Sequence, residues 1–238
     1  MIVIPDIHGR SFWRDAVDEY AGKEHIVFLG DYMDPYQDEG ISVEDAFYVL
    51  QELVGIKKEN PDDITLLLGN HDLHYLHKGM AGSRYDYDNA DFFRSYFEDN
   101  RDYFRIAHEA VIGGKKYLFS HAGILPGWMK EHEFIFYSVK PYNIVSRLDR
   151  VWQTPELWHF LFDALSDISY LRGGRSRYGS MVWADVSEHD SKHEEIPGYY
   201  QVFGHTLMYR PIINDYFACL DCQKIFRINE DGIRQVII

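Results

Sequence analysis

Three short apolar runs set the frame of this chain: Ile2-Val3-Ile4, Ile26-Val27-Phe28-Leu29, and Ile64 to Leu68. Each closes on a loop of glycine with aspartate, asparagine or histidine. A helical stretch from Ser11 to Tyr20 separates the first two runs, and another from about Ser42 to Lys57 separates the second and third. In that longer stretch Val43, Ala46, Phe47, Leu50 and Val54 recur at spacings of three and four, the period of an amphipathic helix. Short apolar strands, the third broken by Thr65, alternate with helices and predict a mostly parallel buried sheet.

After about Arg105 the pattern turns to hairpins. Ala110-Val111-Ile112 and Tyr117-Leu118-Phe119 flank Gly113-Gly114, a good two-residue turn. From Tyr199 to Ile238 the chain reads as several strands, with turns at Asp221-Cys222-Gln223 and Asn229-Glu230-Asp231-Gly232. Two aromatic-rich, mainly helical stretches lie at about 73–104 and 125–183. No repeat or linker interrupts the chain, so residues 1–238 are expected to form one domain with those stretches as inserts. The expected class is mixed α/β (α+β): two packed mixed β-sheets flanked by helices.

Composition narrows the partners. The chain carries 24 basic against 38 acidic side chains, a formal charge of -14, which argues against binding a nucleic-acid duplex or an anionic membrane. Its apolar runs are too short to span a bilayer. The opening Met1-Ile2-Val3-Ile4-Pro5-Asp6 has no basic n-region, and two cysteines make no disulfide framework, so a cytoplasmic location is expected.

The loops carry the chemistry. Run one leads to Asp6 and His8, run two to Asp31 and Asp34, and run three to Asn70 and His71. Leu118-Phe119 then leads to Ser120-His121-Ala122-Gly123, and Val202-Phe203 to Gly204-His205-Thr206. Ligands of open α/β sheets collect at the carboxyl ends of strands, so these loops are expected to converge. Carboxylate, imidazole and amide donors together suit Mn, Fe or Zn. A pair of such ions can activate a shared water and clamp an oxyanion.

Asp6-Ile7-His8-Gly9, Gly30-Asp31-Tyr32-Met33-Asp34, Gly69-Asn70-His71-Asp72, Ser120-His121-Ala122-Gly123 and Gly204-His205-Thr206 resemble the motif set of the calcineurin-like metallophosphoesterases. The branch they look most like is that of the serine/threonine protein phosphatases with their bacterial and phage relatives. The resemblance implies a four-layer sandwich and two divalent metal ions (Mn, Fe or Zn). Asp6 and His8 would hold the first metal, Asp31 would bridge both, and Asn70, His121 and His205 would hold the second. His71 would protonate the leaving oxygen, oriented by Asp34, while a hydroxide bridging the metals attacks phosphorus.

Departures from the pattern shape the rest of the expectation. Pro35 stands where the family usually has an arginine, so one guanidinium fork for phosphate is missing. Asp72 stands where protein phosphatases have glutamate. Arg172 or Arg175, upstream of Met181-Val182-Trp183-Ala184-Asp185, is expected to bind phosphate instead, with Arg172 favoured. His74 and His77 read as exposed helix histidines, His189 and His193 as part of a solvated acidic loop, and Cys219-Leu220-Asp221-Cys222 as structural. Trp158, Phe162 and Leu165 read as helical core. Tyr85, Tyr87, Phe92, Phe93, Tyr96 and Phe97 are dense enough to suggest a groove for an aromatic leaving group.

The expected activity is hydrolysis of a phosphomonoester, on a phosphorylated small molecule or phosphoprotein. An alternative is hydrolysis of dinucleoside polyphosphates or another nucleotide phosphoanhydride. A non-catalytic metal-binding scaffold is disfavoured because His71 and Asp34 are both present.

Overall fold

In the computed structural model, residues 1–138, 140, 143–192 and 195–237 are described, apart from the side chains of 190–192. The chain runs β1 (Ile2–Ile4), α1 (Arg14–Tyr20), β2 (Ile26–Phe28), α2 (Val43–Glu59), β3 (Ile64–Leu67), α3 (Asn70–Leu76), α4 (Ala90–Asp99) and β4 (Phe104–Arg105). It continues through β5 (His108–Ile112), β6 (Lys115–Phe119), α5 (Pro126–Glu131), α6 (Ile144–Trp152), α7 (Trp158–Leu165) and α8 (Val186–Lys192). The last strands are β7 (Tyr200–Phe203), β8 (Ile212–Ile213), β9 (Phe217–Cys219), β10 (Ile225–Asn229) and β11 (Gly232–Val236). Two compact units result: residues 1–104 with 222–238, and residues 105–221.

The first unit is built on a mixed sheet of order β11-β10-β1-β2-β3-β4. Its centre is parallel, with Ile2 beside Ile26 and Ile26 beside Ile64, and β10 joins β1 antiparallel. Every residue of β1, β2 and β3 is buried, including Thr65, the one polar residue in these mainly apolar runs. Helix α2 buries Ala46, Phe47, Val49, Leu50, Leu53 and Val54. It starts at a reciprocal cap in which Ser42 Oγ accepts from Asp45 N at 3.0 Å and Ser42 N donates to Asp45 Oδ2 at 3.2 Å. Phe93 and Phe97 of α4 are core residues, and Phe93 packs edge-on against Tyr75 of α3.

The second unit is built on a mixed sheet of order β5-β6-β7-β9-β8. Strands β5 and β6 form the expected hairpin, with Ile112 opposite Lys115 and both Gly113 and Gly114 at positive φ, the requirement of a type I′ turn. Strands β6, β7 and β9 are parallel, and β8 closes the edge antiparallel. The 125–183 stretch supplies α5, α6 and α7. Phe162 and Leu165 are buried as the spacing suggested, and Trp158 stacks on Trp152 with ring centroids 5.7 Å apart. Two mixed sheets with accompanying helices give the expected mixed α/β class.

Candidate functional site

In the first unit the loops after β1, β2 and β3 are bound together through their backbones. Ile7 N and His8 N both donate to Asp31 O, at 3.1 and 2.7 Å, and Gly9 N donates to Tyr32 O at 3.0 Å. Asp72 completes the assembly. Its carboxylate is fully buried and accepts from Asp31 N (2.8 Å), Tyr32 N (2.9 Å) and Gly69 N (2.9 Å), so one side chain satisfies amides of two loops. Gly30 lets the loops close this far: its φ is +106°, and a Cβ there would lie 2.5 Å from Gly69 N.

This packing places Asp6, His8 and Asp31 together, with one donor atom from each inside a 4.8 Å span. All three are almost fully buried. His8 donates from Nδ1 to Met33 O at 2.8 Å, which leaves the Nε2 lone pair facing Asp31 Oδ2 at 3.5 Å. A ligating imidazole is usually held this way, its second nitrogen fixed by a backbone carbonyl. Burial pushes the His8 imidazole down to about 3, although Asp31 beside it acts in the opposite direction. The ring is therefore neutral at neutral pH, the form a metal ligand needs. Two buried carboxylates and one neutral imidazole at this spacing fit a divalent cation.

A second group lies beside the first. His71 Nδ1 is 2.7 Å from Asp34 Oδ2, His74 Nε2 is 2.7 Å from the same oxygen, and the Tyr75 hydroxyl donates to Asp34 Oδ1. Although three donors are close here, both imidazoles converge on one carboxylate oxygen, the geometry of a hydrogen-bonded network rather than of a shared ion. Burial acts to raise the Asp34 carboxyl, but the contacts from His71 and His74 outweigh it and its pKa falls below the ordinary range. Burial lowers the His74 imidazole despite Asp34, and burial with the Asp34 charge raises the Tyr75 phenol. The carboxylate is thus ionised, and it orients His71 with Nε2 turned away from it. His71 N also donates to Asp31 Oδ1 at 2.9 Å, tying the two groups together, and Asn70 is buried at the start of α3.

In the second unit the loops after β6 and β7 meet in the same manner, with Gly204 N donating to His121 O at 2.7 Å. His121 Nε2 and His205 Nδ1 are 3.2 Å apart, and Trp183 packs edge-on against His205. Arg172 donates from Nη2 to Thr206 Oγ1 at 2.7 Å, and its Nε is 2.9 Å from Asp185 Oδ2. It is thus fixed one residue from His205, whereas Arg175 is exposed on the same loop. Backbone strain marks both units. Of the non-glycine residues described with positive φ, all but Gln223 are in these loops or beside them: His8, Asp31, Asp34, Arg84 and His205. Such strain concentrates where a fold must aim particular side chains.

Several expectations need correction. His74 is fully buried on Asp34, because it lies three residues from His71 on the same face of α3; only His77 is exposed. His189 is not on a solvated loop but buried on α8, where Nε2 meets Ala122 O at 3.0 Å and the ring packs on Phe203. His193 lies outside the described residues. The aromatic stretch is mainly packing: Tyr85 stacks on Tyr75, and Phe93 and Phe97 are core, while Tyr87 and Phe92 are exposed. Cys219 and Cys222 are buried and free of disulfides.

Sequence reading missed two residues. Asp72 was legible as part of a motif but not as the acceptor that joins two loops. Arg84, far from any motif, donates to Asp34 O at 2.6 Å and places Nη2 2.9 Å from His71 Nε2.

No curated protein sequence matches the chain. Among solved structures, the cold-active protein-tyrosine phosphatase of a psychrophilic Shewanella species superposes with a TM-score of 0.55 at 14% identity, covering 99% of this chain and 80% of that one. A protein serine/threonine phosphatase from Saccharomyces cerevisiae, with similarity to human phosphatase PP5, gives 0.50 at 13% identity over 100% and 79% of the two chains. These similarities show a shared fold. The sequence profile of the calcineurin-like phosphoesterases matches residues 1–219, and the chain belongs to that family.

Proposed function

We propose that this phosphoesterase is a metal-dependent phosphatase that hydrolyses phosphomonoesters, with His71 as the proton donor to the leaving oxygen. The observation that supports it most is the His71–Asp34 pair, set at 2.7 Å beside the Asp6, His8 and Asp31 donor group. In the family pattern Asp6, His8 and Asp31 would hold one divalent cation, and Asn70, His121 and His205 would serve a second. Such cations supply positive charge for the phosphoryl oxygens and lower the pKa of a water. Hydrolysis adds hydroxide to phosphorus and a proton to the departing oxygen. His71 gives that proton from Nε2, and Asp34 stabilises the imidazolium while holding its orientation. Asp34 is itself fixed by His74 and Tyr75, which keeps the imidazole from rotating. Arg172, held by Thr206 and Asp185, would bind a phosphate oxygen with the N–H groups of its guanidinium fork that those partners do not use.

A leaving-group series tests this reading. With Mn present, the protein should hydrolyse aryl phosphates. H71A should lose about 100-fold or more in kcat with alkyl phosphates, whose leaving groups need a proton, and less with nitrophenyl phosphate. Equal losses across the series would remove His71 as the acid. Phosphopeptides and dinucleoside polyphosphates assayed in parallel, with each of Mn, Fe and Zn, separate the substrate classes.

A further inference from the structure

Arg84 has an unusual set of partners. Its Nη1 donates to the backbone carbonyl of Asp34 at 2.6 Å, and its Nη2 lies 2.9 Å from His71 Nε2. Its guanidinium carbon sits 3.8 Å from the centroid of the Tyr36 ring, and that ring meets His8 edge-on at 5.1 Å. No carboxylate among the described residues pairs with it. Its neighbours differ in this respect: Arg10 is doubly bonded to Glu39 at 2.8 Å, and Arg94 pairs with Asp91 at 2.9 Å. A half-buried arginine without an acidic partner has its full charge available to an anion. The residue also holds a positive φ of 64°, a conformation that non-glycine residues seldom adopt. The chain therefore accepts backbone strain to place this group.

We infer that Arg84 binds the phosphoryl group of the substrate, reaching the site from the loop before α4. The inference rests on the phosphatase reading above. Three contacts define how it works. The Asp34 carbonyl and the Tyr36 face hold the guanidinium, and its Nη2 faces His71 Nε2. A phosphoryl oxygen entering between them replaces the imidazole as the acceptor from Nη2. Arg84 then neutralises part of the phosphoryl charge and no longer occupies His71 Nε2. Pro35, next to Asp34, has no side-chain donor, so the guanidinium at this corner comes from a residue fifty positions from Asp34. Arg84 would be a substrate-binding residue in its own right, distinct from Arg172.

The test uses the full chain loaded with Mn and inorganic phosphate as the probe. Phosphate binding is read by calorimetry and as competitive inhibition of nitrophenyl phosphate hydrolysis. R84A and R84Q are compared, the glutamine keeping an amide donor for the Asp34 carbonyl should the alanine variant fold poorly; R84K is the conservative partner. Removal of a charge-assisted contact predicts about 10- to 100-fold weaker phosphate binding and a matching rise in KM. Lysine should restore part of the affinity, since it keeps the charge without the fork. Unchanged phosphate affinity in R84Q, even with a lower kcat, would overturn the inference, because Arg84 would then only position His71. A wild-type protein that neither hydrolyses aryl phosphates nor binds phosphate would instead remove the phosphatase reading, and this inference with it.

Discussion

Asp72 and Asp34 are both buried aspartates, and their partners assign them different work. Asp72 accepts from backbone amides, among them those of Asp31, Tyr32 and Gly69, and holds loops. Asp34 meets His71, His74 and Tyr75 and holds a side chain. D72A would leave those three amides buried without their acceptor, at about 3 kcal/mol or more for the set. For a chain of this length that is a fall of about 6 °C or more in Tm by thermal unfolding, with D72N losing less because one oxygen remains. A change within about 1 °C for D72A would mean that the loops do not depend on the carboxylate. Much at this scale was legible in the sequence. Asp6, His8, Asp31, Asp34 and His71 follow apolar runs directly, so their place near strand ends could be read from position alone. His74 was legible in principle, since three residues on from His71 is the same helix face. Arg84 was not: its contact with Asp34 spans fifty residues, and no local period records a long-range contact of a single flexible side chain.

The strands and helices themselves act as spacers for the loops. Strands β1, β2 and β3 match the three apolar runs to within a residue, because full burial demands a mainly apolar run, and the one polar member, Thr65, is buried with a His25 contact to its hydroxyl at 2.9 Å. Helix α1 begins at Arg14, three residues after the expected start, since Ser11 to Trp13 form a turn in which the Trp13 indole donates to Arg10 O. The aromatic density around α4 was harder to interpret. It serves the packing of α4 against α3 through Tyr75, Tyr85 and Phe93, which a count of aromatic residues cannot distinguish from a binding groove. Loop closure gives a paired prediction. G30A places a Cβ 2.5 Å from Gly69 N and should disrupt both stability and activity, while G40A, with positive φ but nothing within 4 Å, should cost only about 1–2 kcal/mol. Equal Tm values for the two variants would show that the Gly30–Gly69 approach is not required.

Over the whole molecule, each unit repeats one arrangement: a mixed sheet whose parallel strands end in loops bearing aspartate or histidine. Both sheets were foreseeable in outline, the first from alternating runs and helices, the second from the Gly113-Gly114 hairpin and the strand-rich end of the chain. The grouping of residues 222–238 with 1–104 was not, because β10 joins β1 across the full length of the chain and no local pattern encodes that pairing. The formal charge of -14 remains mostly a surface property, and no helix among the described residues is long and apolar enough to cross a membrane. Part of the acidity is concentrated in Asp6, Asp31, Asp34 and Asp72, all buried. For Asp6 and Asp31, burial of charge favours a compensating cation. The most direct test is metal dependence of hydrolysis, followed on the same preparation by metal titration calorimetry. Protein stripped by chelator should be inactive toward an aryl phosphate, regain activity as Mn is added to two equivalents per chain, and lose tight metal binding and activity together in D31N. Full hydrolysis by the wild-type chain in excess chelator would contradict the account.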